Sequence, residues 1–241
     1  MKQLIKTFTK YLPNAASVAV GIIPILVLVL WFDVSRKIIG KGAIAYAAGT
    51  VALKLPLYHL VVVKFVHKKF SNKWIAIIQG IVSSFSELGA TLFFFIFVVK
   101  ELTFTELIGF GIAAGSIEAI ILPFMKNPLE GTPLEQHSDE TIKKSEDNMA
   151  LQWMGVIERI LASIIHVASR GLVYITYFTG NLFPIIFALL GFALVDGRGY
   201  YAHLEKWAFD DVIVLSKFYR FLALIAITLT LLFLSFFYLI I

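Results

Sequence analysis

The chain has 241 residues, of which 59% are apolar and 15% charged, with a mean hydropathy of +0.85 and a formal charge of +5. A soluble domain is about 45–50% apolar and about 25% charged, so a soluble globular enzyme, a disordered chain and a coiled coil are excluded, and one polytopic helical membrane domain over 1–241 is left. There is no Cys, which excludes disulfides, thiolate metal sites and Cys nucleophiles, and no Asn lies in a glycosylation sequon.

The N-terminal stretch MKQLIKTFTKYLPNAASVAV is basic and then apolar. Its apolar part continues to Phe32 with no small-x-small cleavage site after it, so it reads as a retained first span rather than a signal peptide. Seven spans follow from the lengths of the apolar runs: Pro13–Phe32, Gly42–Val66, Trp74–Val99, Thr105–Met125, Gln152–Phe178, Asn181–Asp196 and Leu215–Ile241. The sixth is short for a hydrocarbon layer of about 30 Å and is expected to be tilted or partly re-entrant. Beyond it Tyr200, Tyr201, Leu204, Trp207 and Ala208 recur at helical spacing, which predicts an interfacial helix over about 199–212. Trp31, Trp74 and Trp153 fall at span ends, the depth of an aromatic belt. The one long hydrophilic segment, 126–150, reads as a solvated connector, with a docking loop for a partner as the alternative.

Lys and Arg are distributed one-sidedly. With the N-terminus on one side, that side carries Lys2, Lys6, Lys10, Lys64, Lys68, Lys69, Lys73, Lys126, Lys143, Lys144, Arg198, Lys206, Lys217 and Arg220, against Arg36, Lys37, Lys41 and Lys100 opposite. The positive-inside rule predicts a cytoplasmic N-terminus in a multi-pass protein of the plasma membrane. The basic excess therefore reports orientation, and no nucleic-acid partner is expected.

Seven charges remain inside spans: Lys54, Arg159, Arg170, Glu87, Glu118, Glu158 and Asp196, joined by His59 and His166. Each charge at mid-bilayer costs at least about 2.5–3.5 kcal/mol, so seven left alone would cost roughly 20 kcal/mol, more than a typical net stability. They must pair or line a wet cavity. In the fifth span, Arg159, His166 and Arg170 share one helical face, with Arg159 and His166 about 10 Å apart along the axis; Glu158 points about 100° away, towards another neighbour. The fourth span is rich in small residues, and Gly111 and Gly115 form a GxxxG that lets a neighbouring backbone approach Glu118. In the third span Glu87 stands beside Ser83, Ser84 and Ser86. In the second, Lys54, Pro56 and His59 form KLPLYH, where Pro56 should kink the helix and free carbonyls, and Lys54 could pair with a buried Glu. Helix–helix electrostatic glue and a cavity-lining role are both open for these charges. Asp196, which ends the sixth span, reads as an interfacial cap or a cavity residue.

The run Glu158-Arg159-x-x-Ala162-x-x-x-His166-x-x-Ser169-Arg170-x-Leu172-Val173-Tyr174 resembles the YhfC family of intramembrane proteases, which is distantly similar to PrsW and to the CAAX-prenyl protease and bacteriocin-processing family. The resemblance covers roughly residues 75–205 and includes Gly109-x-Gly111…Gly115-Ser116-Ile117-Glu118-Ala119 and Ala193-Leu194-Val195-Asp196. It implies an all-α bundle with a polar cavity, in which Glu87 or Glu118 activates water, His166 orients the water or a metal, and Arg159 stabilises the oxyanion. The chain departs from the family pattern at Ser86, where an acid is usual, at Ala90, where an Arg is usual, and at Phe192, where a His is usual.

Three functions follow as alternatives. An intramembrane peptidase would take a transmembrane-helix substrate. A non-catalytic membrane subunit would bind partner membrane subunits through the same fold. A small transporter or proton pathway ranks third, because the hydropathy shows no inverted repeat. Membrane lipids are expected partners in every case. No cofactor is expected; a zinc site of His166, Glu118 and Glu158 is disfavoured because there is no His-x-x-x-His pair. A retinal protein is excluded in practice, since no Lys follows Lys217 in the last span.

Overall fold

The computed structural model describes residues 2–124 and 149–240. The hydrophilic segment expected over 126–150 lies almost wholly outside them. The described residues form an all-helical bundle: α1 Lys2–Trp31, α2 Arg36–Val66, α3 Asn72–Phe97, α4 Phe104–Ile121 with a 3₁₀ turn to Phe124, α5 Met149–Thr179, α6 Phe183–Leu204 and α7 Val212–Ile240. All seven are long and apolar enough to cross a membrane. Large apolar side chains such as Trp31, Phe85, Phe97 and Leu182 face outwards, as a lipid-facing surface requires.

Short polar residues start and stop the helices. Thr103 and Glu106 form a capping box at α4: Glu106 N donates to Thr103 Oγ1 at 3.3 Å, and Thr103 N donates to Glu106 Oε2 at 3.0 Å. Ser35 accepts from Lys37 N at the start of α2, and Asp211 accepts from Ile213 N at the start of α7. Gly180, at φ +71°, ends α5, a conformation in which a Cβ would be strained.

Two helices depart from the sequence expectation. α2 is continuous through Pro56 but π-helical on both sides of it, over Ala48–Lys54 and Tyr58–Val66. A proline interrupts the backbone ladder and crowds the preceding turn; here the widened turns absorb that disturbance. α6 does not stop at Asp196 but continues to Leu204 as a full-length span. The interfacial helix expected over 199–212 is thus divided between the last turns of α6 and a turn before α7. The helix continues because Asp196 is neutralised by neighbours, described below, and the Arg198 guanidinium lies over Trp207 at 5.2 Å and Phe221 at 4.5 Å from the ring centres.

α5 is the central helix and packs against α1, α3, α4, α6 and α7. Its contact with α4 uses the GxxxG: a Cβ at Gly111 would fall 2.6 Å from Val167 Cα, and one at Gly115 2.7 Å from Ser163 Cα. The contact of α3 with α6 is equally close, with Gly80 against the Ala193 carbonyl and Gly197 against the Ala76 carbonyl. Gly89, on the same helix α3, has open space around it. Gly80→Ala is therefore expected to part α3 from α6 and cost about 1–3 kcal/mol, while Gly89→Ala is neutral or gains up to about 1 kcal/mol. Reversible unfolding in mixed micelles measures both; equal effects would contradict the packing.

Candidate functional site

The intramembrane charges form one chain of contacts. Lys54 Nζ lies 2.8 Å from Asp196 Oδ2 and 2.9 Å from Glu87 Oε1. Ser83 Oγ also donates to Asp196. Glu87 Oε2 faces Arg170 Nη2 at 3.5 Å, and Arg170 Nη1 donates to His166 Nδ1 at 2.6 Å. His166 Nε2 is 2.8 Å from Glu118 Oε2, and Arg159 Nη1 is 2.7 Å from Glu118 Oε1. Arg159 Nη2 pairs with Glu158, which accepts from Tyr219 Oη at 3.2 Å. In order, the chain runs Asp196, Lys54, Glu87, Arg170, His166, Glu118, Arg159, Glu158, Tyr219, and it ties together α2 to α7. Each cation stands between two acceptors, which is how seven charges are tolerated where one alone is costly.

Local helical geometry delivers four of these groups from α5. Arg159 and Arg170 are eleven residues apart, about 16 Å along the axis, with His166 on the same face. Glu158 sits off that face and reaches α7. Lys54 reaches both α3 and α6 because Gly49, one turn earlier, lets α2 approach Glu87: a Cβ at Gly49 would fall 2.8 Å from Glu87 Cα.

Hydrogen-bond donors determine the His166 tautomer. A guanidinium has no acceptor, so Arg170 requires a lone pair on His166 Nδ1. His166 Nε2 therefore carries the hydrogen and donates it to Glu118. The imidazole is further held by Tyr46, edge-on at 5.7 Å between ring centres, and by Phe192 at 5.6 Å. Phe192 thus occupies the place beside His166 where the resemblance leads one to expect a second imidazole. Arg170 is fully buried, and its Nε has no partner among the described residues. The two central glutamates differ in access: the Glu118 side chain is 24% exposed and that of Glu87 only 3%.

Of the expected site residues, Lys54, Glu87, Glu118, Glu158, Arg159, His166, Arg170 and Asp196 join this chain. His59 does not. It lies on the exposed face of α2, against the Tyr58 ring. The zinc set does not form either: Arg159 stands between Glu118 and Glu158, and among the described residues no three metal-ligating side chains converge.

Sequence reasoning missed a second polar chain one turn beyond Lys54 on α2. Tyr58 Oη and Tyr200 Oη are 2.6 Å apart, and His67 Nε2 is 2.7 Å from Tyr200 Oη. Burial lowers the pKa of His67 below its ordinary value, so this imidazole is neutral at pH 7. These residues come from helices far apart in sequence, and no local spacing announces them.

On α5 the charged chain occupies the middle of the helix, from Glu158 to Arg170. Beyond Arg170, α5 runs nine more residues, about 13 Å, without a charge. Phe95, Phe110, Leu172 and Ile175 are buried there. An apolar cleft of about 620 Å³ opens between α1, α4, α5 and α7. Ser163, between Arg159 and His166, lines it, but the charged side chains do not.

Comparison with family models, curated proteins and solved structures returns no match to this chain.

Proposed function

We propose that the protein is an intramembrane peptidase of glutamate type, YhfC-like, with Glu118 as the general base. It would lie in the plasma membrane with its N-terminal end cytoplasmic, as its Lys and Arg distribution favours. The observation that carries the reading is the Glu118 carboxylate, held at membrane depth by both His166 Nε2 and Arg159 Nη1 while remaining 24% exposed. A carboxylate oriented by two donors keeps free lone pairs with which to take a proton from water. Glu87, enclosed and shared by Lys54 and Arg170, is placed as a positioning residue. Arg159 is taken up by two carboxylates, so its assigned role is to orient Glu118 rather than to meet an oxyanion.

A non-catalytic membrane subunit is the second reading, favoured by Phe192 filling the position beside His166. A proton pathway is disfavoured because the last nine residues of α5, about 13 Å, carry no charge.

A reporter with one transmembrane helix, reconstituted with the protein in lipid nanodiscs, tests the proposal. Cleavage is expected, and Glu118→Gln, whose single oxygen can still accept from Arg159 while its amide NH2 takes the place of the oxygen that accepted from His166, is expected to lower it at least about 10²-fold. Undiminished cleavage in that variant overturns the role of Glu118. A folded wild-type protein that never cleaves and retains stoichiometric partners on purification supports the second reading.

A further inference from the structure

The turn between α2 and α3 has a chemistry that the buried chain does not use. Lys64, Lys68, Lys69 and Lys73 are all exposed there. Among the described residues none of them pairs with a carboxylate, and the nearby Glu205 is taken up by Asn72 Nδ2 at 3.0 Å. Phe65, 61% exposed, and Phe70, 49%, stand between the lysines, and Trp74, 56%, directly follows Lys73. Cations and aromatic rings therefore alternate over eleven residues at a span end, where headgroups meet hydrocarbon. The opposite end is different: Arg36, Lys37, Lys41 and Lys100 are accompanied there by Asp33, Glu101 and Glu106, and Lys41 Nζ is bonded to the Val98 carbonyl at 3.0 Å.

We infer that the α2–α3 turn is a binding site for the phosphate headgroups of anionic phospholipids. The four lysines would meet the phosphates, and Phe65, Phe70 and Trp74 would enter the acyl layer beneath them. Charge complementarity favours an anionic lipid over a zwitterionic one, whose own ammonium competes for the phosphate. A juxtamembrane cluster of this size lies in the range that selects anionic lipids. The site also adjoins the inner polar chain, because His67 lies within the turn and bonds Tyr200.

The test uses the full chain in nanodiscs and exploits the absence of native Cys. Ser71→Cys, in the turn, and Ser35→Cys, at the opposite end, each carry one fluorophore. Brominated phosphatidylglycerol and brominated phosphatidylcholine are compared as quenchers at equal mole fraction. Stronger quenching by phosphatidylglycerol is expected at position 71 and not at position 35, weakening as salt is raised. Adding Lys68→Gln and Lys69→Gln is expected to lower the preference by about fivefold for each lysine at low salt. Equal quenching by the two lipids at position 71 in the otherwise unaltered chain overturns the inference, and that result needs no lysine variant to fold. Peptidase activity plays no part in this readout.

Discussion

Arg170→Leu is expected to lower the unfolding free energy by about 3 kcal/mol, among the largest effects of any single substitution in this chain. Arg170 is fully buried and bonds two groups at once, His166 Nδ1 and Glu87 Oε2. Removing it leaves a lone pair on His166 and a carboxylate oxygen without their cation. Breaking a buried pair from one side costs about 3–5 kcal/mol, because the remaining charge stays desolvated. The lower end applies here, since the unfolded chain in a membrane also finds partners for its polar groups. Reversible unfolding in mixed micelles measures the loss. Nitrogen NMR of labelled His166 adds a readout that mere destabilisation does not move: the loss of the Arg170 donor frees the imidazole to exchange tautomers. Arg170→Lys keeps the charge but presents one ammonium where the guanidinium made two divergent contacts, so it is expected to restore less than half of the stability. Full rescue by lysine, with a single His166 tautomer retained, would contradict the geometry.

Much of this arrangement is legible in the sequence, and the missing parts have specific physical causes. Run lengths placed all seven spans, because a continuous apolar stretch depends only on its own residues. Helical spacing set Arg159, His166 and Arg170 on one face, and GxxxG marked the α4–α5 contact for the same reason. That seven intramembrane charges must pair or line a wet cavity was also readable from cost alone. Which charge meets which was not, since partners such as Lys54 and Asp196 are set by the packing order of helices. His59 was grouped with Lys54 by nearness in sequence. Lys54 turns inwards to Glu87 and Asp196 while His59 is exposed; both stand in π-helical turns, whose rotation per residue differs from that of an α-helix, so nearness in sequence did not set them on one face. The end of α6 was misplaced because Asp196 and Arg198 interrupt the apolar run. Lys54 and Ser83 at Asp196, and Phe221 at Arg198, come from other helices and leave no trace in the local sequence; of these contacts only Trp207, in the turn after α6, is local.

Lys54→Met is the second large effect, expected at about 3 kcal/mol, and its partner substitution separates glue from chemistry. Lys54 is the cation between Asp196 on α6 and Glu87 on α3. Without it Asp196 keeps only Ser83 as a donor among the described residues, and two carboxylates confront each other across the α3–α6 contact. That contact is as close as glycine permits at Gly80 and Gly197, so α3 and α6 cannot draw apart without losing it. Glu87 still has Arg170, while among the described residues Asp196 pairs with no cation but Lys54. The cost should therefore rest mainly on Asp196, and Lys54→Met with Asp196→Asn is expected to recover at least half of the lost stability, because Asn still accepts from Ser83 and carries no charge. A double-mutant cycle should yield a coupling of about 1–3 kcal/mol. Additive losses would mean that Lys54 stabilises the bundle by something other than this pair. The recovered double variant then serves the functional question, since it removes one arm of the chain while leaving Glu118, His166 and Arg159 in place. Cleavage of the reporter at near wild-type rate would identify the Lys54–Asp196 arm as a brace for Glu87. Loss of cleavage in a stable double variant would place that arm within the working site.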